Sequence, residues 1–278
     1  MEIFLCIMLL LIVVICISRM VWELQNFKVT EYEIKSDKLK EDFKAVVVAD
    51  LHCQQYGKDN ERLLTEIRQQ KPDVMFIPGD LIVCKGKQRT EEALAFLKEA
   101  VKICPVYYAP GNHEERLTKT ESDYFMLVEV CGAVYLENEV QHIAVGENKI
   151  AIAGLSIGKA FYKRGKKPLM TDKEIEAWLG KKPKEFCVLL AHNPEYFDAY
   201  ATWGSECVLA GHNHGGIVRL PMLGGVISPR LHLFDKFDRG EYRKKNTMML
   251  LSAGLGMHTI KIRFLNTPEL LVVNFKRL

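Results

Sequence analysis

The chain has 278 residues, 48% of them hydrophobic, and a formal net charge of +3. This near-balance excludes a nucleic-acid coat, so no nucleic acid is expected as a partner, and the length suits one large domain with a full core. Eight cysteines without a C-x-x-C pair argue against a structural zinc site, and their apolar surroundings predict free thiols.

Residues 3–17 carry no charge, and Met20-Val21-Trp22 extend the run past Ser18 and Arg19. The total reaches the roughly 20 residues a membrane helix needs. Arg19 can snorkel, and Trp22 suits the interfacial belt. Residues 1–22 therefore read as the transmembrane anchor of a single-pass membrane protein. A cleaved signal peptide is the rival reading. Glu2 stands where such a peptide has basic residues, and no A-x-A-like site follows. The first positive charges, Arg19 and Lys28, lie after the segment, which places the body on the cytoplasmic side. Residues 23–42 form a connecting segment with the first strand, and residues 43–278 the main domain.

Residues 27–34 alternate apolar and polar, as a half-exposed strand does. Buried strands are predicted at 45–49, 74–77 and 106–109. They alternate with helices at 59–70, 90–102 and 120–131. Three such βα units imply right-handed crossovers and a sheet that starts parallel. Short strands at 134–136, 142–145 and 150–154 then read as antiparallel, with a hairpin turn at Glu147-Asn148. Residues 156–169 form a loop rich in Gly and Lys. It is either a solvated loop or a basic lid for anionic lipid or phosphate. Thr171 and Glu174 have capping-box spacing for a helix to Leu179. Strands follow at 186–191 and 207–210, with a helix starting at Pro194 between them. The tail is strand-like, and 269–275 reads as a closing strand. The expected architecture is a layered α/β sandwich with two sheets covered by helices.

Five apolar runs end in residues of metal-ligand type: Asp50-Leu51-His52, Gly79-Asp80, Gly111-Asn112-His113-Glu114, His192-Asn193 and Gly211-His212-Asn213-His214. In open α/β sheets chemistry collects at the carboxyl ends of the strands. A mixture of carboxylate, amide oxygen and imidazole suits Mn, Fe, Zn, Ni or Co better than Ca or Mg alone. The candidate ligands outnumber the needs of one ion. Two ions roughly 3.5–4 Å apart, sharing a carboxylate and a water, would use them all.

These ordered motifs resemble those of the calcineurin-like metallophosphoesterases, from about Phe43 to the C-terminus. Ser252-Ala253-Gly254-Leu255-Gly256, Arg263-Phe264 and Pro268-Glu269 resemble the bacterial membrane-anchored phosphodiesterase branch. The resemblance implies a four-layered αββα sandwich of two mixed sheets, with a binuclear site loaded with transition metal, Mn first among the options. It assigns Asp50, His52 and His214 to one ion, and Asn112, His192 and His212 to the other, with Asp80 bridging. It makes His113 a phosphate contact and general acid for the leaving alkoxide, with Glu114 as its orienting neighbour. Asn213 stands where the branch usually has Thr, and is expected between two ligands. His142 and His232 read as structural, and His258, outside the motifs, lies near the glycine-rich tail turn, where it could border the site. The implied activity is hydrolysis of a phosphodiester or pyrophosphate by a metal-bridging hydroxide. A lipid-linked substrate, such as a nucleotide-activated acylated sugar, is compatible with the membrane segment. A nuclease and a non-catalytic metal-built scaffold are the competing readings.

Overall fold

The computed structural model describes residues 1–278 except 85–89, 118–122, 164, 166, 229–230 and 259–260. Helix α1 (Glu2–Gln25) is followed after two residues by strand β1 (Lys28–Ser36). Then come β2 (Phe43–Val47), α2 (Glu61–Gln70), β3 (Val74–Pro78), α3 (Glu91–Ala100), β4 (Val106–Ala109), α4 (Tyr124–Val130) and β5 (Val134–Tyr135). The second half runs β6 (Glu139–Val145), β7 (Asn148–Leu155), α5 (Asp172–Leu179), β8 (Phe186–Ala191), α6 (Phe197–Trp203) and β9 (Cys207–Ala210). It ends with β10 (Val218–Leu220), β11 (Gly224–Ile227), β12 (Gly240–Lys244), β13 (Thr247–Leu251) and β14 (Glu269–Arg277).

Two six-stranded mixed sheets result, in the orders β1-β14-β2-β3-β4-β5 and β12-β13-β9-β8-β7-β6. The inner strands of the first sheet, β14, β2, β3 and β4, are buried on both faces, so they read as continuous apolar runs, whereas the edge strand β1 alternates. In β2, Phe43, Ala45 and Val47 face the space between the sheets, and Val46 faces the helices. In β14, Leu271, Val273 and Phe275 turn inward, and Leu270 and Val272 turn toward α2 and α3. The outer face of the second sheet is covered by α5 and α6 through Ile175, Leu179, Phe197 and Tyr200. Each fully buried Leu or Val in these layers contributes roughly 1.5–3 kcal/mol. The fold is the expected four-layered sandwich.

Several local expectations are corrected. Strand β5 pairs in parallel with β4 and completes the first sheet, so only β6 and β7 form the antiparallel pair. Their turn is Gly146-Glu147, because Asn148 is already paired with Val145 in the ladder. Gly146 has φ +57°, which favours the residue without a Cβ at that corner. Helix α2 starts at Glu61, because Asp59 and Asn60 adopt left-handed backbone. The start expected for α4 falls partly on 118–122, outside the described residues. The last strand does not close an edge; it lies between β1 and β2. The capping box of α5 is present as expected, with Thr171 and Glu174 each taking the other's backbone N–H.

Helix α1 is about 36 Å long at 1.5 Å per residue, enough to cross a hydrocarbon core of about 30 Å. Its apolar residues are exposed, yet Glu23 in its last turn is fully buried. Glu23 Oε1 accepts from Arg19 at 2.8 Å, and Oε2 accepts from the backbone N–H of Asn266 at 3.2 Å. Gln54 Nε2 donates to the Leu24 carbonyl, and Arg62 donates to the Gln25 carbonyl and to Asn26 Oδ1. The base of the helix is thus fastened to the body.

Candidate metal centre

The strand ends β2, β3, β4, β8 and β9 deliver their polar residues to one edge of the sandwich. Asp50, His52, Asp80, His212 and His214 all have positive φ, between 48° and 76°. Left-handed backbone at non-glycine residues costs about 1–3 kcal/mol each and concentrates at functional sites. The glycines beside them allow close approach. A Cβ on Gly211 would sit on Asp50 Oδ2, and one on Gly79 would lie 2.6 Å from the Gly111 backbone.

Each of three imidazoles makes one contact that fixes its tautomer. His52 Nδ1 donates to the Ile82 carbonyl at 3.1 Å, His192 Nδ1 to Pro78 at 2.8 Å, and His214 Nδ1 to Gly256 at 3.1 Å. In each neutral ring the Nε2 lone pair is then left for the site. His52 Nε2 and His214 Nε2 lie 3.2 Å apart. Two lone pairs cannot hydrogen-bond to each other, so this geometry suits a shared cation. Asp50 Oδ1 lies 3.6–3.8 Å from the Nε2 atoms of His52, His192 and His214. Asp80 Oδ2 lies 3.2 Å from His192 Nε2 and 3.7 Å from His52 Nε2. His192 Nε2 has no aligned hydrogen-bond partner despite this proximity. The atoms of Asp80, His192 and His212 form one compact group, and those of Asp80, His52 and His113 another, so Asp80 is common to both. This donor set, buried and short of a positive charge, fits transition-metal ions.

Burial and mutual charge act together on the ionisable groups of the site. Burial, with Asp80 nearby, pushes the Asp50 carboxyl up to about 7. Burial acts on Asp80 in the same sense, but the His192 and His113 imidazoles overturn it and hold that carboxyl well below the usual range. Burial would lower His192, but Asp80 and Asp50 raise it to about 9. Burial pushes His52 and His214 well down, keeping them neutral.

His113 takes the backbone N–H of Cys84 on Nδ1 at 2.9 Å. Its ring proton is therefore on Nε2, which is buried and has no hydrogen-bond partner among the described residues. Its backbone N–H donates to Asp80 Oδ1 at 2.8 Å. Glu114 does not orient His113. Its carboxylate accepts from the backbone N–H groups of Asp80, Leu81, Ile82 and Gly111 and from the Tyr108 hydroxyl, all within 2.6–3.2 Å. It ties the turn after β3 to the turn after β4. Asn112 is buried in the latter turn. Asn213 donates to the Phe237 carbonyl at 2.6 Å, so its side chain anchors a neighbouring loop instead of lying between ligands.

His258, which the motifs do not include, borders the site. Its ring lies 4.7 Å from His52 and 4.5 Å from His113, and it forms a compact group with His52 and His214. Only the glycine-rich run before it hinted at this position. The basic loop borders the site through Tyr162, whose ring is 5.3 Å from His212 and 6.2 Å from His192. Lys167 pairs with Glu195, and Arg164 and Lys166 lie outside the described residues. His142 and His232 are solvent-facing, near Glu185 and Asp235.

Comparison with known proteins gives concordant matches. The family described as calcineurin-like phosphoesterase matches residues 43–218. The uncharacterized metallophosphoesterase YkuE of Bacillus subtilis is 27% identical over 260 residues, covering 89% of this chain and 85% of YkuE. Phosphodiesterase YaeI of Escherichia coli is 24% identical over 192 residues, covering 67% of this chain and 66% of YaeI. The sulfate thiohydrolase SoxB of Thermus thermophilus shares the fold at 12% identity, with a TM-score of 0.51 over 90% of this chain and 58% of SoxB.

Proposed function

Because the chain belongs to the calcineurin-like phosphoesterase family, we propose that it is a metal-dependent hydrolase that cleaves a phosphodiester or pyrophosphate with two metal ions. Asp50, His52 and His214 would hold one ion, Asn112, His192 and His212 the other, and Asp80 would serve both. The observation that carries this reading is the facing pair of Nε2 lone pairs on His52 and His214, with the Asp80 carboxylate close to the Nε2 atoms of both His52 and His192. When bound, the ions supply Lewis acidity toward phosphate oxygens and a nucleophilic hydroxide near neutral pH. Mn²⁺ is the first ion to test among those the donors suit.

The protein's own groups do the positioning. The Ile82, Pro78 and Gly256 carbonyls orient the imidazoles, and Glu114 sets the height of the Asp80 turn. His113 presents Nε2–H to the phosphate and the leaving oxygen. While the Cys84 amide occupies Nδ1 the ring is neutral and acts as a hydrogen-bond donor; full proton transfer requires that contact to break. Tyr162 walls the His192–His212 side and limits water there.

We read α1 as a membrane anchor that stays attached. Removing it would leave the Asn266 N–H without the acceptor that Glu23 provides. Residues 43–278 are then the catalytic domain, on the cytoplasmic face by the charge rule. A lipid-linked phosphate ester follows as the favoured substrate. The test uses the full chain in detergent micelles, with chromogenic phosphodiester and phosphomonoester substrates. It is stripped of metal, then reloaded with Mn²⁺, beside Asp80→Asn. Metal-dependent diester cleavage that is abolished in Asp80→Asn is expected. No turnover with two ions bound per chain would overturn the proposal.

A further inference from the structure

Strands β10 and β11 form a two-stranded hairpin that belongs to neither large sheet. Its root stands beside the site and the base of α1. Asn266 Nδ2 donates to the His214 and Gly216 carbonyls, and its backbone N–H reaches Glu23 of α1. Val218 bridges Phe264, and Arg219 N–H donates to the Phe264 carbonyl at 2.9 Å. The hairpin tip is apolar and exposed: Leu220, Met222 and Leu223, with Met222 fully so. The following loop folds back on it through an Ile227–Leu233 bridge and a Phe234 N–H to Val226 carbonyl bond. That loop adds exposed Leu231, Leu233 and Phe234. Six large apolar side chains, three at the tip and three on the loop paired back to it, are thus exposed on adjoining segments. Contiguous exposed apolar surface marks an interaction site.

We infer that this lip rests in the lipid surface, beside α1, and opens the metal site toward the bilayer. The inference rests on the reading of α1 as a membrane helix. The occupant follows from the connection. Only Asn26 and Phe27 separate α1 from β1, and Glu23, Gln54 and Arg62 pin the helix end to the body. The body therefore cannot swing away from the membrane that α1 crosses. The elements holding the helix end, residues 264–267, also hold the hairpin root. An apolar lip at that position meets acyl chains before it meets any soluble protein. Arg19 and Trp22, stacked at 4.8 Å, occupy the interfacial level of the helix. A substrate whose phosphate lies at that level, on a lipid tail, would reach the site without leaving the membrane.

The test places a reporter on the tip. Full-length Met222→Trp is reconstituted in vesicles of phosphatidylcholine and phosphatidylglycerol, with and without bromine near the headgroup end of the acyl chains. The parent spectrum, which contains Trp22, Trp178 and Trp203, is subtracted. The added emission is expected to be lost with brominated lipid and protected from aqueous acrylamide. If it is quenched by acrylamide and not by brominated lipid, while Trp22 of the parent is quenched by the lipid, the lip inference fails and the anchor reading stands. If Trp22 also escapes the lipid, both fail. The readout does not depend on turnover, so it is independent of whether the substrate is lipid-linked.

Discussion

Replacing Glu114 by Gln should weaken the fold and the site together. The Glu114 carboxylate is buried and receives five donors, four of them backbone N–H groups of the turns that carry Asp80 and Gly111. Oε2 takes Asp80 and Gly111; Oε1 takes Leu81, Ile82 and Tyr108. An amide keeps one oxygen, so whichever way it turns, at least two buried N–H groups face an NH₂. Burial, with Asp80 nearby, pushes the Glu114 carboxyl up to about 7, so the charged form dominates above that pH; there a hydrogen bond to it contributes about 1.5–3 kcal/mol, and losing two costs about 3–6 kcal/mol. For a chain of this size that is on the order of 10 °C in melting temperature. Tyr108→Phe removes one of the five donors and the contact with the Tyr124 hydroxyl but leaves the carboxylate, so it should cost about 1.5–3 kcal/mol, less than Glu114→Gln. Thermal unfolding in micelles, followed by tryptophan emission, measures both. The diester turnover of Glu114→Gln should fall as well, because Asp80 would lose its backbone anchor. Equal melting temperatures for Glu114→Gln and the parent, within about 2 °C, would refute the keystone role assigned to this carboxylate.

Two further outcomes follow from the same geometry. In the metal-free protein the folded pKa of His192 is raised to about 9 from 6.5, so its contribution is complete below pH 6.5 and is lost as pH rises through 9. Metal-free stability should fall by up to about 3 kcal/mol between pH 6.5 and 9.5, and Mn²⁺ should flatten that slope; a flat metal-free profile would contradict the His192–Asp80 pairing. Asn266→Ala should strip the donors from the His214 and Gly216 carbonyls and lower Mn²⁺ affinity by roughly 10–100-fold, read by calorimetric titration, whereas lost stability with unchanged affinity would make Asn266 a purely structural residue.

The strand ends were legible because a buried strand needs a polar stop, and five stops carrying Asp, Asn or His share one chemical character. The capping box of α5 was legible because its partners are three residues apart. What stayed hidden depends on contacts distant in sequence. Nothing around Val134 reveals whether β5 turns back or crosses over, and only the β4 ladder decides it. Glu23 reads as an ordinary charge at a helix end, yet residues 243 positions away bury it. His258 follows a glycine run whose path is set by Arg263, which donates to the carbonyls of Ala253, Gly254 and Gly256. Glu114 adjoins His113 in sequence but points the other way, toward the neighbouring turn.

The place of β14 has a consequence for how the chain is made. β1 pairs with β14 from Lys28–Glu269 onward, and β2 pairs with the other side of the same strand. Residues 28 and 269 emerge from the ribosome on the order of 10–50 s apart at about 5–20 residues per second. Throughout that interval β1 lacks its neighbour in the sheet, and β2 keeps one edge of backbone N–H and C=O groups unpaired. The first sheet is therefore sealed late, by a strand more than 200 residues downstream of the two it joins. Chaperone dependence and aggregation of the nascent protein should be governed by how quickly those nine residues arrive.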